Sequence, residues 1–392
     1  MHLPSSERLR ATLTEWFPLL PRPRPTCRAL PERVSEIAGL AREAAHGAAD
    51  KRLATAAEAH NKGALVLSDC GLADDAHQLC WRQFGLFHDH RPLAPATAKL
   101  SLQPLVNLGR LHIRGGQAAR AHRLFTNAFD TVQAATPTAI DGQDIDLNEL
   151  IDDDAAARGE LVRFLWTVLL ADGTRALTRS GQWTQALVHI KRHRGIGDRM
   201  LDGRQVAILA SLVNGDHDQA LTLLEHSYTP EPWERAVASC LTTLCLANAG
   251  RDPHPAATTM VEHYLELAHD RVPPVFGCRL GLCVLDLADH ASQASIATEI
   301  TRQAITSADA YAAQDVLTHP TCAQVASAAE REALVATISA AGLQHGPETP
   351  PGVLTELRQA VAAAESCLTH ELARASPTPS TGDVARSRRS ER

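Results

Sequence analysis

The chain has 392 residues, a formal net charge of −7, 44% apolar residues and only 4% aromatics. That length can bury a large core in one to three domains, and the mildly acidic balance lacks the clustered basic footprint of a general nucleic-acid binder. No run of about 18 uncharged apolar residues occurs, so no membrane span is expected. The start, "MHLPSSERLR", lacks the charged-then-apolar order of a secretory leader. Nine cysteines are scattered through apolar contexts such as "ASCLTTLCLA" and "FGCRLGLCVL". Cys240 and Cys245, like Cys278 and Cys283, are five apart, which sets them roughly 140° apart around a helix. Inert thiols in a cytoplasmic protein are the expectation.

Residues 1–31 read as a short helix over 5–17 followed by an extended arm, "PLLPRPRPTCRALP". "ERVSEIAGLAREAA" is a helix with its start at Pro31, and from about residue 50 a pattern repeats. Its clearest copy is "LVNLGRLHIRGGQAARAHRLFTNAF", residues 105–129. Apolar positions recur there at three and four, stop at "RGGQ" and restart, which predicts two helices and a tight turn. Gly116 fits the turn because a positive φ is cheap only for glycine. Gly109 and Ala121 are small where the two helices cross, since larger side chains would push the axes apart. Phe125 and Ala128 continue the apolar stripe of the second helix.

Other copies carry the same relation: Ala64, Gly71 and Ala76; Thr174, Gly181 and Ala186; Ile208, Gly215 and Ala220; and Gly250 with Ala256 one place late. The turn glycines 71, 116, 181, 215 and 250 step by 45, 65, 34 and 35 residues. This pattern resembles the tetratricopeptide repeat (TPR), a helix-turn-helix unit of about 34 residues. The clearest copy departs from the family at Leu105, where Trp is preferred, and at Gln133, where Pro is preferred. The resemblance implies an all-α fold: a right-handed α-solenoid of helix-turn-helix repeats over 32–268, with a helical C-terminal extension.

Two insertions interrupt the register. "LFHDHRPLAPATAKL" reads as a Pro-broken loop. "ATPTAIDGQDIDLNELIDDD" reads as a solvated acidic linker whose last Asp residues suit the start of a helix near Ala155. That helix runs toward Ser180 and contains "LVRFLWTVLL", apolar nearly all round, so it is expected to be central and buried. Beyond 268, helices are expected at 274–289, 294–313, 321–342 and 351–374, so that residues 269–374 form degenerate repeats or a cap. Residues 375–392, rich in Pro, Ser and Arg, read as a disordered tail.

Catalytic and cofactor signatures are sparse. There is no phosphate loop and no nucleophile elbow. "GIGDRM" lacks a preceding strand, and "HELAR" lacks the second His of a zinc helix. Asp144, Asp146 and Asn148 have calcium-loop spacing, but Glu149 stands where the loop needs Gly and Ala155 where it needs Glu. His88 and His90 flank Asp89 without an identifiable third ligand. No catalytic residue, no metal ligand and no cofactor is therefore assigned.

The resemblance implies a concave surface lined by the first helix of each unit. On it fall Arg110 and Arg114 of the second unit, and Arg175 and Arg179 of the third. Each pair is spaced i, i+4 and so shares a helix face. Asn61, Lys62 and Asn107 fall beside them. Guanidinium groups bind carboxylate or phosphate through a planar fork. A competing reading pairs these arginines with the acidic linker at 141–154. The expected function is a non-catalytic adaptor holding a protein or peptide partner with acidic groups, with no nucleic acid and no membrane involved. A ligand- or peptide-sensing regulator, or an accessory subunit of a biosynthetic enzyme, is the alternative.

Overall fold

The computed structural model describes residues 13–267, 272–343 and 349–375. The expected tail, apart from Ala375, and the first residues of the expected N-terminal helix lie outside them. The described chain is all-α: it contains no strand, only two isolated bridges. In order the helices are α1 Leu30–His46, α2 Ala49–Asp69, α3 Ala73–Asp89, α4 Pro95–Ser101, α5 Gln103–Arg114 and α6 Ala118–Ala134. They continue as α7 Ala155–Val168, α8 Thr174–Arg179, α9 Trp183–Arg192, α10 Asp202–Val213, α11 His217–Glu225, α12 Pro232–Asn248 and α13 His254–Leu267. The last are α14 Pro274–Leu287, α15 His290–Ser307, α16 Ala310–Thr318, α17 Pro320–Val325, α18 Ala328–Ala340 and α19 Pro351–Ala375.

The turn glycines behave as their spacing requires. Gly71, Gly116, Gly181, Gly215 and Gly250 all have positive φ, between 68° and 83°. In each case a helix ends just before the glycine and another begins just after it. Ala76, Ala121, Ala186 and Ala220 are fully buried at the crossings. A Cβ on Gly109 would overlap the Phe125 ring, so the closest approach of α5 and α6 depends on that glycine. In the fifth copy the second helix starts late, at His254, and Ala257 rather than Ala256 takes the buried position.

Several expectations need correction. The helix at 155–179 is not buried all round: Leu161, Leu165 and Val168 face the core, while Trp166 is 39% exposed. Phe164 is only partly covered and lies under the Lys99 ammonium. The helix is also interrupted by a π turn at Leu169–Gly173, which adds a residue and shifts the register of everything after it. The expected helix 294–313 breaks at Ala308, whose φ is 49°, and 321–342 breaks at Ala326. His88 lies in the last turn of α3 rather than in a loop. The acidic insertion is not a solvated linker either. Ile140, Leu147 and Leu150 are fully buried, and a 3-10 turn at Leu147–Leu150 is capped by Asp146. Asp154 caps α7 as its position suggested, its carboxylate accepting from the backbone N–H of Ala156 at 2.8 Å and of Ala157 at 3.3 Å.

The apolar side chains form two main cores, and each end of the described residues is built into the opposite one. Helix α19 inserts Leu357, Val361, Leu368 and Leu372 between α1 and α2, in the core of the N-terminal half. Leu13, Phe17 and Leu19 pack instead with α8 to α18 in the core of the C-terminal half. Burial of such a side chain contributes roughly 1.5–3 kcal/mol, so residues 13–19 and α19 are firmly held.

Candidate ligand-binding chamber

Because Leu19 belongs to the C-terminal core and Leu30 to the N-terminal core, the arm passes from one to the other along a cavity also lined by residues of α2, α5, α8, α14 and α16. Proline supplies no N–H and keeps the segment extended, so its remaining backbone groups need side-chain partners. Gln205 of α10 meets Leu19 on both sides: it accepts from the Leu19 N–H at 2.8 Å and donates to the Leu19 carbonyl at 2.8 Å. Asp309 accepts from the Cys27 N–H at 3.3 Å, and the Ala310 N–H donates to the Cys27 carbonyl at 2.9 Å. Arg22 pairs with Asp202, and the Arg24 guanidinium lies 4.0 Å over the Tyr311 ring.

Beside the arm lies a cavity of about 530 Å³. Seven arginines reach its lining (22, 24, 110, 114, 175, 179 and 279), against three aspartates (69, 172 and 202). All four arginines singled out by spacing thus share one surface, and the insertion between the second and third units does not turn the pairs apart. The reading that pairs them with the 141–154 segment is overturned. That segment engages Arg120, Arg91 and Arg158 instead.

The four arginines differ in their state. Arg110 forms a bidentate pair with Asp172, at 3.1 and 2.9 Å. Arg114 donates to Ser68 and Asp69, both at 2.7 Å, and Asp69 also takes Arg33 and the Tyr311 hydroxyl. Arg179 donates to the Glu15 backbone carbonyl at 2.6 Å. The Arg175 side chain has no hydrogen bond or ion pair among the described residues. Its side chain is exposed toward the chamber, although the walls of the chamber hem in the guanidinium. Burial first, then the like charges of Arg279, Arg179 and Arg24, bring its guanidinium down to about 10 despite nearby Asp172. Burial and Arg279 also lower Arg179. Arg279 itself is held by Asp315 at 2.7 Å. Arg175 is thus a lining cation without an ion pair among the described residues.

The polar residues of the first two units line an adjoining cavity of about 520 Å³, largely apolar, that shares Pro25, Leu65, Arg110 and Arg114 with the chamber. Asn107 donates to Asn61 at 2.9 Å there. Lys62 is already neutralised by Glu36 and Glu58. Asn61, Lys62 and Asn107 therefore adjoin the arginines but do not add a free cation.

Arg22, Arg24, Arg279, Tyr311 and Gln205 escaped the sequence reading. Arg279 left a usable signal, because it is a lone cation in the apolar run "FGCRLGLCVL". His88 and His90 serve local roles: His90 Nδ1 lies 2.8 Å from the Leu86 carbonyl and His88 Nδ1 3.2 Å from Arg91. All nine thiols are free, and burial pushes Cys80 and Cys245 up to about 12. Among the described residues no helix is long and apolar enough to cross a membrane. In comparisons with known proteins, no family model, no curated protein and no solved structure matches this chain.

Proposed function

We propose that this protein is a TPR-like α-solenoid that works as a non-catalytic, cytoplasmic adaptor, capturing an acidic peptide segment of a partner protein in its arginine-lined chamber. The observation that carries the reading is the lining of the chamber, seven arginines against three aspartates, with Arg175 making no hydrogen bond or ion pair among the described residues. A carboxylate entering the chamber would relieve that repulsion and form charge-assisted hydrogen bonds, worth roughly 1.5–3 kcal/mol each where water is excluded. The arm supports the peptide form of the ligand. An extended segment already lies against these helices, held through its backbone by Gln205 and Asp309, so the surface is suited to an extended chain.

A second reading, a sensor of a small anionic ligand, is favoured by one feature. With the arm in place the remaining cavity of about 530 Å³ is the size of small-molecule sites. An array of short peptides, each acidic member matched by its amide counterpart, separates the two. The adaptor reading expects selective retention of acidic peptides, weakening as salt rises. Equal retention of the amide counterparts would refute it.

A further inference from the structure

The insertion between α6 and α7 gathers another cluster, none of whose members lines the chamber. Asp141 sits in a tight turn at φ 51°, followed by Gly142 at φ 83°. Ile140 and Gln143 close that turn with two backbone hydrogen bonds of 2.9 Å, and Ile140 is fully buried beneath it. The Asp141 carboxylate is thereby fixed in place, its side chain 1% exposed. Both of its oxygens lie 3.1 Å from His112 Nε2, in the last turn of α5. Its Oδ2 lies 3.4 Å from His77 Nε2, in α3. These three ligand atoms all fall within 4.8 Å of one another.

The two histidine contacts are loose as hydrogen bonds. A single His112 N–H bisects two oxygens, and 3.4 Å is long for the His77 contact. We propose that His77, His112 and Asp141 form a site for a divalent transition-metal ion of the zinc class, with a further position open to water beside His77. Two imidazole nitrogens and a carboxylate oxygen suit that class of ion. Zinc bonded at about 2.0–2.2 Å in a tetrahedron separates its ligand atoms by roughly 3.3–3.5 Å. The observed 3.1 and 3.4 Å to Asp141 need only small movements; the two imidazole nitrogens lie within 4.8 Å of each other, and His77, its side chain 33% exposed, is free to close on the ion.

Arg120 is compatible with the ion. Its Nε donates to Asp141 Oδ1 at 2.6 Å, which leaves Oδ2 for the metal and orients the carboxylate as outer hydrogen bonds commonly do. The ion would fasten the insertion to both α3 and α5, joining the first two helical pairs.

The test uses the full chain, stripped with a chelator, then titrated with zinc alone by calorimetry and with cobalt(II) alone by visible absorption. One equivalent of zinc, a tetrahedral cobalt band displaced by zinc, and a higher melting temperature are expected. His77→Ala removes a partly exposed ligand and, with circular dichroism confirming equal helicity, should weaken zinc binding by at least the roughly tenfold lost when an outer partner is removed. Asp141→Asn should act likewise, while Arg120→Ala should still take up one equivalent, with weaker affinity because the carboxylate loses its orienting partner. Absence of a stoichiometric zinc heat, or equal binding by wild type, His77→Ala and Asp141→Asn, would overturn the site and leave the cluster as a hydrogen-bonded anchor.

Discussion

Replacing Arg175 with glutamine should make the free protein more stable, although it removes the residue on which the proposed ligand capture depends. The unscreened limit follows from the protonation equilibrium. Each factor of ten is worth about 1.36 kcal/mol, so a guanidinium brought down to about 10 by burial and by Arg279 and Arg179 is disfavoured by roughly 3 kcal/mol in the folded state. Its chamber-facing surface is open to solvent, and solvent screening reduces such a term strongly. About 1 kcal/mol of stabilisation is the working figure for Arg175→Gln, a rise of about 1–2 °C in a chain of this size. Because the folded value is the lower one, the penalty is fully present below about 10 and fades only as pH rises through that value. It therefore operates throughout the physiological range. Scanning fluorimetry and urea unfolding at low salt read the difference directly, and added salt should narrow it. A loss of stability in Arg175→Gln would mean that the guanidinium has a partner, and the frustrated-cation argument would fail.

Four further outcomes follow. Ala121→Leu should destabilise by about 1–3 kcal/mol through overpacking, whereas Ala119→Leu, on the exposed side of the same turn, should be nearly neutral; equal unfolding midpoints would show that the packed face is misassigned. Leu368→Ala should cost about 2–5 kcal/mol, because α19 is part of the N-terminal core rather than an accessory end; a neutral effect in urea unfolding would remove that role. Gln205→Ala should expose residues 16–28 to proteolysis by leaving the Leu19 backbone unpaired, and unchanged cleavage kinetics would show that the arm is held by other means. His189 is pushed down to about 4, mainly by burial and against its contact with the Leu169 carbonyl, with His122 and His193 adding to the lowering. Stability should therefore be complete above the ordinary histidine range and fall between about 6.5 and about 4, by up to roughly 3 kcal/mol. His189→Gln should flatten the profile, and an unaltered pH dependence would count against the assignment.

The repeat register was legible because it is written in residues with a local geometric requirement. Gly71, Gly116, Gly181, Gly215 and Gly250 each take a positive φ, and the crossings need alanine whatever lies elsewhere. The arginine pairs were legible for a similar reason, since i, i+4 spacing fixes a shared face within one helix. The crossing of the arm was not. "PLLPRPRPTC" has no periodicity, and its partners Gln205 and Asp309 lie 186 and 282 residues away from Leu19 and Cys27. The π turn was hidden because "LLADG" reads as ordinary helix, although it precedes Arg175 and contains Asp172. Asp141 looked like one acid in a solvated linker; buried Ile140, Leu147 and Leu150 turn the segment into structure, and only then does it meet His77 and His112.

The central claim is that Arg175 and its neighbouring arginines draw an acidic ligand group into the chamber. Its most direct test is isothermal titration of an acidic peptide, chosen from the array, into wild-type protein and into Arg175→Glu, with circular dichroism confirming equal helicity. The account predicts salt-sensitive binding by the wild type and none by the variant. Undiminished binding by a fully helical Arg175→Glu would contradict it.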